Sequence, residues 1–279
     1  MTFSAIIPTK NRVDLTLRAI SSCLEIDLIN EIIVIDDGSS LENFQLLIKK
    51  IKSENVRVIE NMSKPGALSA RIFGAKLAKN EIIVFLDSDD ILCKETISIN
   101  FHHINNHSDL GLVYSNVIHG KKQTDWLQVS GFERRLILKN LSLCAFSGMV
   151  VRKTYISQCD FILTLPSWQD DEFCLQISKY AKIQFMPGIV AFCSENGARI
   201  SSSKRRQLDG LGLLLKKYQS DLIENHGGIS IIFWKIRLLS LSYLARSEEI
   251  PQRYLKNYYY LLGRLLRKFT AVYFDRIYV

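Results

Sequence analysis

Short apolar runs alternate with amphipathic stretches from residue 3 to residue 118, and that alternation sets the expected elements. Phe3 to Ile7 reads as a strand, and Arg12 to Cys23 as a helix whose Leu15, Ala19 and Cys23 share one face. A strand is expected at Glu31 to Ile35, a helix at Leu41 to Ile51, a strand at Val56 to Glu60 and a helix at Gly66 to Lys79. Two more strands follow, at Glu81 to Leu86 and at Leu110 to Ile118. Strands separated by helical patterns build βα units, so the fold class is α/β with a doubly wound, largely parallel sheet. Residues 119 to 140 are polar and mixed, a loop-and-helix composition. Phe146 to Val151 is expected as a strand, and a helix opens within residues 165 to 172 and runs through Tyr180. Ile183 to Phe185 and Ile189 to Phe192 read as two strands around a Pro187-Gly188 turn. From Ser201 the pattern is helical, over Leu208 to Tyr218, Ile229 to Ala245 and Pro251 to Phe269.

Charge divides the chain at the same place. Residues 199 to 279 hold 15 Lys/Arg against 6 Asp/Glu, a balance of +9, while the residues before them hold 21 against 22. A near-neutral catalytic domain over 1–200 followed by a cationic helical region over 201–279 is the expected organisation. Met1-Thr2-Phe3-Ser4 leads into an apolar strand pattern without a basic n-region, so no signal peptide is expected. No apolar run reaches the ~18 residues that span a bilayer. The six cysteines are scattered, with no CxxC or Cys/His cluster, and read as reduced core thiols of a cytosolic protein. His102, His103 and His107 lack carboxylate or cysteine partners at ligand spacing and are expected at the surface.

Three polar clusters stand where strands end. Pro8-Thr9-Lys10-Asn11-Arg12 follows the first strand, Asp36-Asp37-Gly38-Ser39 the second, and Asp87-Ser88-Asp89-Asp90 the fourth. Ligands of doubly wound sheets sit at the carboxyl ends of the strands, so the clusters are expected to converge on one crevice. Three carboxylates within four positions repel unless a cation lies between them, and an all-oxygen set favours Mg²⁺ or Mn²⁺.

These stretches, with Gly66-Ala67-Leu68-Ser69-Ala70-Arg71 and Ser167-Trp168-Gln169-Asp170-Asp171, resemble the family 2 glycosyltransferases with the GT-A fold. Five motif elements recur in order over roughly residues 3 to 200. Two positions depart from the family pattern: Ile72 stands where asparagine commonly follows the Ala-Arg pair, and Gln169 replaces the usual glutamate before Asp170.

The resemblance implies a GT-A, Rossmann-like, mixed but mostly parallel sheet flanked by helices, with a C-terminal helical segment. It implies that Pro8, Thr9, Asn11 and Arg12 line the nucleotide-sugar site, and that Asp37 accepts a hydrogen bond from a uracil imide, favouring a UDP-sugar. Arg71 neutralises the diphosphate or lines the base pocket, and Arg199 supplies a late diphosphate contact. Asp89, with Asp87, holds Mn²⁺ or Mg²⁺, with Asp87 and Ser88 as alternative ribose contacts, and Asp90 caps the following helix. Asp170 is the general base of an inverting transfer. Trp168, Gln169 and Asp171 are acceptor contacts, with Asp171 turned toward solvent or an acceptor sugar.

The implied reaction moves a hexose, galactose or glucose favoured, from a UDP-sugar to a saccharide on a polyprenyl diphosphate, as in O-antigen or capsule synthesis. The cationic tail is expected on the cytoplasmic face of the inner membrane, where anionic lipids attract Lys/Arg at about 1 kcal/mol per residue. One alternative is a sugar nucleotidyltransferase, although Pro8 to Arg12 lacks the glycines of a triphosphate-cradling loop. The other, a basic nucleic-acid-binding protein, leaves the strand-end carboxylates unexplained, since acids lining a groove repel phosphate; no nucleic-acid partner is expected.

Overall fold

The computed structural model describes residues 2–124, 126, 128–131, 144–194, 203–226, 228–249 and 260–266. They fall into two compact units.

The first unit is a mixed sheet with helices. Its first half alternates β1 (Phe3–Thr9), α1 (Val13–Leu24), β2 (Ile29–Asp36), α2 (Leu41–Lys50), β3 (Val56–Glu60), α3 (Ala67–Leu77) and β4 (Ile82–Phe85). Then come β5 (Ile91–Leu92), α4 (Lys94–Asn106), β6 (Leu110–His119), β7 (Lys122–Gln123), β8 (Ser130–Gly131), β9 (Val150–Arg152), α5 (Lys153–Ile156), α6 (Gln169–Ile177) and β10 (Lys182–Cys193). The strand order is β3-β2-β1-β4-β9-β6-β10-β5, with β7 on β6 and β8 on β10. β3, β2, β1 and β4 run parallel, as do β6 and β10, and β9 is inserted antiparallel between β4 and β6.

Register positions the site. Thr9 pairs with Asp36, Asp36 with Glu60, and Ile6 with Phe85, so β1 to β4 end on one edge of the sheet. Every residue of β1 is buried, as expected of a parallel strand covered on both faces. Gly74 lets α3 approach this sheet, because a Cβ there would lie 2.5 Å from Ile6 Cγ2. At the opposite, amino-terminal edge, buried Glu31 accepts hydrogen bonds from Ser4 Oγ (2.5 Å), Arg57 Nη2 (2.7 Å) and Lys79 N (2.8 Å). Burial pushes its carboxyl up, but these bonds and the Arg57 charge outweigh burial and leave it below the ordinary range.

Three expectations are corrected. Phe146 to Val151 is not one strand: Phe146 to Met149 form a turn, Gly148 has φ +83°, and β9 begins only at Val150. A side chain at Gly148 would also meet Val190 Cγ1 at 2.4 Å. Pro187-Gly188 does not divide two strands. β10 runs unbroken over Lys182–Cys193, and a register shift against β6 between Phe185 and Ile189 absorbs the proline, which cannot donate to a ladder. The helix after the acidic cluster starts at Lys94 with Cys93 as its N-cap, because Ile91 and Leu92 first pair with Phe192 and Ala191. Asp90 therefore caps no helix.

The second unit contains residues 165–169 and the helices after β10, namely α7 (Lys204–His226), α8 (Gly228–Glu249) and a helical stretch at 260–266. Leu211, Leu214, Tyr218, Leu222, Trp234, Leu241 and Leu244 form its buried face. The expected helix at Pro251 to Phe269 is seen over 260–266, and its remainder lies outside the described residues. Among the described residues no helix is long and apolar enough to cross a membrane. None of the six cysteines forms a disulfide, and four of them are buried.

Candidate active site

Asn11 shapes the first loop. Its left-handed backbone (φ 53°), a conformation asparagine tolerates, turns the chain out of β1. Asn11 N donates to Ser39 Oγ (2.7 Å), and Asn11 Oδ1 accepts from Ser40 N (2.8 Å) and Asn43 Nδ2 (3.2 Å), which ties this loop to the β2 turn. Pro8 and Thr9 are buried in the strand. The Thr9 hydroxyl is 2.6 Å from that of Thr16 in α1, and its carbonyl accepts from Asp37 N. Pro8, Thr9 and Asn11 thus support the loop from within and from its neighbour.

In the second turn Asp36 folds back on its own chain, accepting from Gly38 N (3.1 Å), Ser39 N (2.8 Å) and Ser39 Oγ (2.5 Å). Asp37 reaches outward, where Oδ1 accepts from Asn61 Nδ2 (2.7 Å) and both oxygens approach Gly66 N. A carboxylate offers about four acceptor positions, so Asp37 can brace the 61–66 loop and still accept one more donor.

The third cluster resolves its own repulsion with arginines. Arg12 Nη1 donates to Asp89 Oδ2 at 2.8 Å, joining the end of β1 to that of β4. Arg71, from the first turns of α3, donates through Nη2 to Asp87 Oδ1. Its guanidinium lies 3.9 Å over the Phe146 ring, which packs edge-on against Phe85 and Phe173. Arg71 is buried and its Nε has no hydrogen-bond partner. Asp90 is buried, accepting from Ser147 Oγ (2.5 Å) and Ser194 N (3.1 Å), while Ser147 Oγ also accepts from Asp87 N (3.2 Å). Burial, reinforced by the Asp87 charge, pushes the Asp90 carboxyl up to about 6 despite these bonds. Ser88, expected as an alternative ribose contact, is buried too.

Asp170 opens α6. Burial pushes its carboxyl up to about 6; its own backbone N–H, that of Asp171 and the Arg71 charge oppose the shift, and the Asp87 charge adds to it. The charges of both Arg71 and Asp87 thus bear on Asp170. Asp171 is not turned to solvent: it is 2% exposed and faces inward, near enough to the buried Cys144 and Cys174 to raise their pKa values. The acceptor role expected of Asp171 is therefore not supported by its placement. Trp168 and Gln169 belong to the second unit. Trp168 Nε1 donates to Gln207 O (3.0 Å), Arg237 lies 5.1 Å from its ring, and Gln169 Nε2 donates to Leu165 O (2.7 Å). Arg199 lies outside the described residues.

Sequence reasoning missed Phe146 and Ser147. One seats the arginine and the other holds two of the three acids; both were hidden in a stretch that reads as an ordinary strand.

Among the described residues no three His, Cys, Asp or Glu side chains converge as a metal cage. Asp87 and Asp89, the two carboxylates expected to hold a cation, are each paired with an arginine here.

Parallel strands whose carboxyl ends carry these acids and arginines, closed by an antiparallel insertion, define the GT-A class of α/β fold. The Glycosyl transferase family 2 model matches residues 4–159, more than half of the chain, and the chain belongs to that family. It is 39% identical over 107 residues to an uncharacterized glycosyltransferase of Mycoplasma genitalium, MG060, covering 36% of each protein. It is 36% identical over 99 residues to the Escherichia coli UDP-Glc:alpha-D-GlcNAc-diphosphoundecaprenol beta-1,3-glucosyltransferase WfaP, covering 36% of this chain and 39% of WfaP. The matches thus span little more than a third of these relatives' length. The crystal structure of residues 1–349 of Staphylococcus aureus TarS in complex with UDP-GlcNAc superposes with a TM-score of 0.60 at 18% identity, covering 88% of this chain and 81% of that one.

Proposed function

We propose that this chain is an inverting hexosyltransferase that moves a sugar from a UDP-sugar to a saccharide on a polyprenyl diphosphate, in O-antigen or capsule synthesis. The observation that carries the reading is that Asp170, at the start of α6, feels the charges of the Arg71–Asp87 pair, which stands just past the end of β4. The name of WfaP, with its UDP-glucose donor and diphosphoundecaprenol acceptor, supports the donor and acceptor classes. The UDP-GlcNAc bound to TarS supports a uridine nucleotide.

In the reaction the acceptor oxygen attacks C1, the C1–O bond to the diphosphate breaks on the opposite face, and UDP leaves with the electron pair. Asp170 takes the acceptor proton. Arg71 and Arg12 offset the charge gathering on the diphosphate, and Asp37 keeps an acceptor position for the uracil imide. Asp89 with Asp87 would hold Mn²⁺ or Mg²⁺, which would add to the charge neutralisation of the leaving group. The test is a panel of UDP-sugars against synthetic lipid-diphosphate acceptors, with and without Mn²⁺. Transfer from a UDP-hexose with inverted anomeric configuration is expected, and retention of configuration or full activity in excess EDTA would reject the reading.

The second unit supports a membrane-held acceptor. Leu213, Ile223, Ile232, Leu239, Tyr260, Leu261 and Leu265 are exposed, and exposed Lys216, Lys235, Arg246 and Arg264 lie among them. Apolar and cationic side chains together suit the cytoplasmic, anionic leaflet of the inner membrane. Binding to vesicles containing anionic lipid should weaken as salt rises, because screening shortens the reach of surface charge. Equal binding to neutral vesicles would remove the electrostatic part.

A further inference from the structure

We propose that Arg12 is an internal counter-ion of Asp89 that makes cation binding and diphosphate binding depend on each other. This rests on the reading of Asp89 as a cation ligand. The two ion pairs of the acidic cluster differ in kind. Arg71 is fixed: its side chain is 5% exposed and it lies flat on Phe146. Arg12 is 35% exposed, stands at the N-cap of α1 just beyond the left-handed turn at Asn11, and reaches Asp89 Oδ2 with Nη1 alone. The remaining Arg12 donors make no side-chain hydrogen bond among the described residues.

A guanidinium 2.8 Å from Asp89 Oδ2 and a divalent cation on the same carboxylate repel each other, so each weakens the other's hold on Asp89. A diphosphate gives Arg12 another partner, since guanidinium matches phosphate in a bidentate fork. The arriving nucleotide therefore draws Arg12 away and frees Asp89, while a cation on Asp89 frees Arg12 for the diphosphate. Linkage makes the effect reciprocal, each ligand tightening the other by the same factor. In the resting protein Arg12 occupies the carboxylate, so nucleotide-free cation affinity is held low. That limits capture of a cation that would then have to be shed to admit a preformed metal–nucleotide complex.

The test is Mn²⁺ titration of the nucleotide-free protein, read by the loss of the free-ion EPR signal, together with UDP titrations with and without Mn²⁺. Arg12→Gln should tighten nucleotide-free Mn²⁺ binding about tenfold, within the usual 5–150-fold range of site coupling. It should also shrink the Mn²⁺ enhancement of UDP affinity by a similar factor. Arg12→Lys, which keeps the charge, should stay near wild type, and Asp89→Asn added to Arg12→Gln should remove the gain. Unchanged or weaker Mn²⁺ binding by Arg12→Gln overturns the proposal. If Mn²⁺ still enhances UDP binding and Asp89→Asn abolishes that, only the Arg12 proposal fails; if Mn²⁺ never affects UDP binding, Asp89 is no cation ligand and both readings fail.

Discussion

Asp170→Asn is expected to lower turnover by a factor on the order of 10² to 10⁴, the usual worth of a positioned general base, while UDP-sugar affinity changes little. The amide keeps the shape of the side chain and loses the proton acceptor. Stability should move the other way. Burial, with the Asp87 charge adding, raises this carboxyl from 3.8 to about 6, so the folded state holds its proton more tightly than the unfolded chain. Ionising Asp170 therefore costs stability as pH rises from about 4 to 6, and above that the cost is fully present. Asparagine escapes it, and the variant should melt at or above the wild-type temperature at pH 7.5, the usual trade between stability and activity at a site. The pH–rate profile carries the same sign from the other side: wild-type kcat should be flat above neutrality and fall as pH drops through about 6, because only the ionised form accepts a proton. The residual activity of the variant should lack that limb. A variant that loses both activity and melting temperature would make Asp170 a structural acid of the α6 start, with the base elsewhere.

The first half of the fold was legible because each strand is a short apolar run that stops at Gly, Asp, Asn or Pro, and each helix repeats at 3.6. β3 is found at Val56–Glu60 as read, and β1, β2 and α2 differ at their ends by two residues or fewer. Convergence of the acids and arginines followed from the parallel order of β2, β1 and β4. How the acids are held was not legible, because the partners are remote: Arg12 is 77 residues from Asp89, and Ser147 is 57 from Asp90. Repulsion among three adjacent carboxylates is a local fact. Its relief by two arginines and a serine is a tertiary one. The second half misled for a related reason, since Phe146 to Val151 and Pro187-Gly188 carry strong local signals that packing overrides. Phe146 leaves the strand to seat Arg71, and a bulge lets β10 carry its proline.

The same contrast between the two arginines separates Asp87 from Asp89 in stability as well as in role. Asp87→Asn leaves Arg71 buried, charged and without its partner. Breaking a buried ion pair from one side costs about 3–5 kcal/mol, and because the Asp87 side chain is itself 39% exposed the lower end, about 3 kcal/mol, is expected here. For a chain of this size that is a fall in Tm of roughly 6–12 °C. Asp89→Asn leaves Arg12 partly in water, where losing an ion pair costs about 1 kcal/mol or less, so its Tm should stay within a few degrees. Activity should not separate the two in this way. Asp89→Asn removes the proposed cation ligand and should cost about 10²-fold or more in Mn²⁺-supported turnover, near 2.7 kcal/mol of transition-state stabilisation, in a protein that is folded and melts normally. Thermal melts and initial rates on the same two samples decide the matter. If Asp89→Asn melts early and Asp87→Asn does not, Arg71 is no buried anchor; if both melt normally and both stay active, these carboxylates only fill a solvated turn.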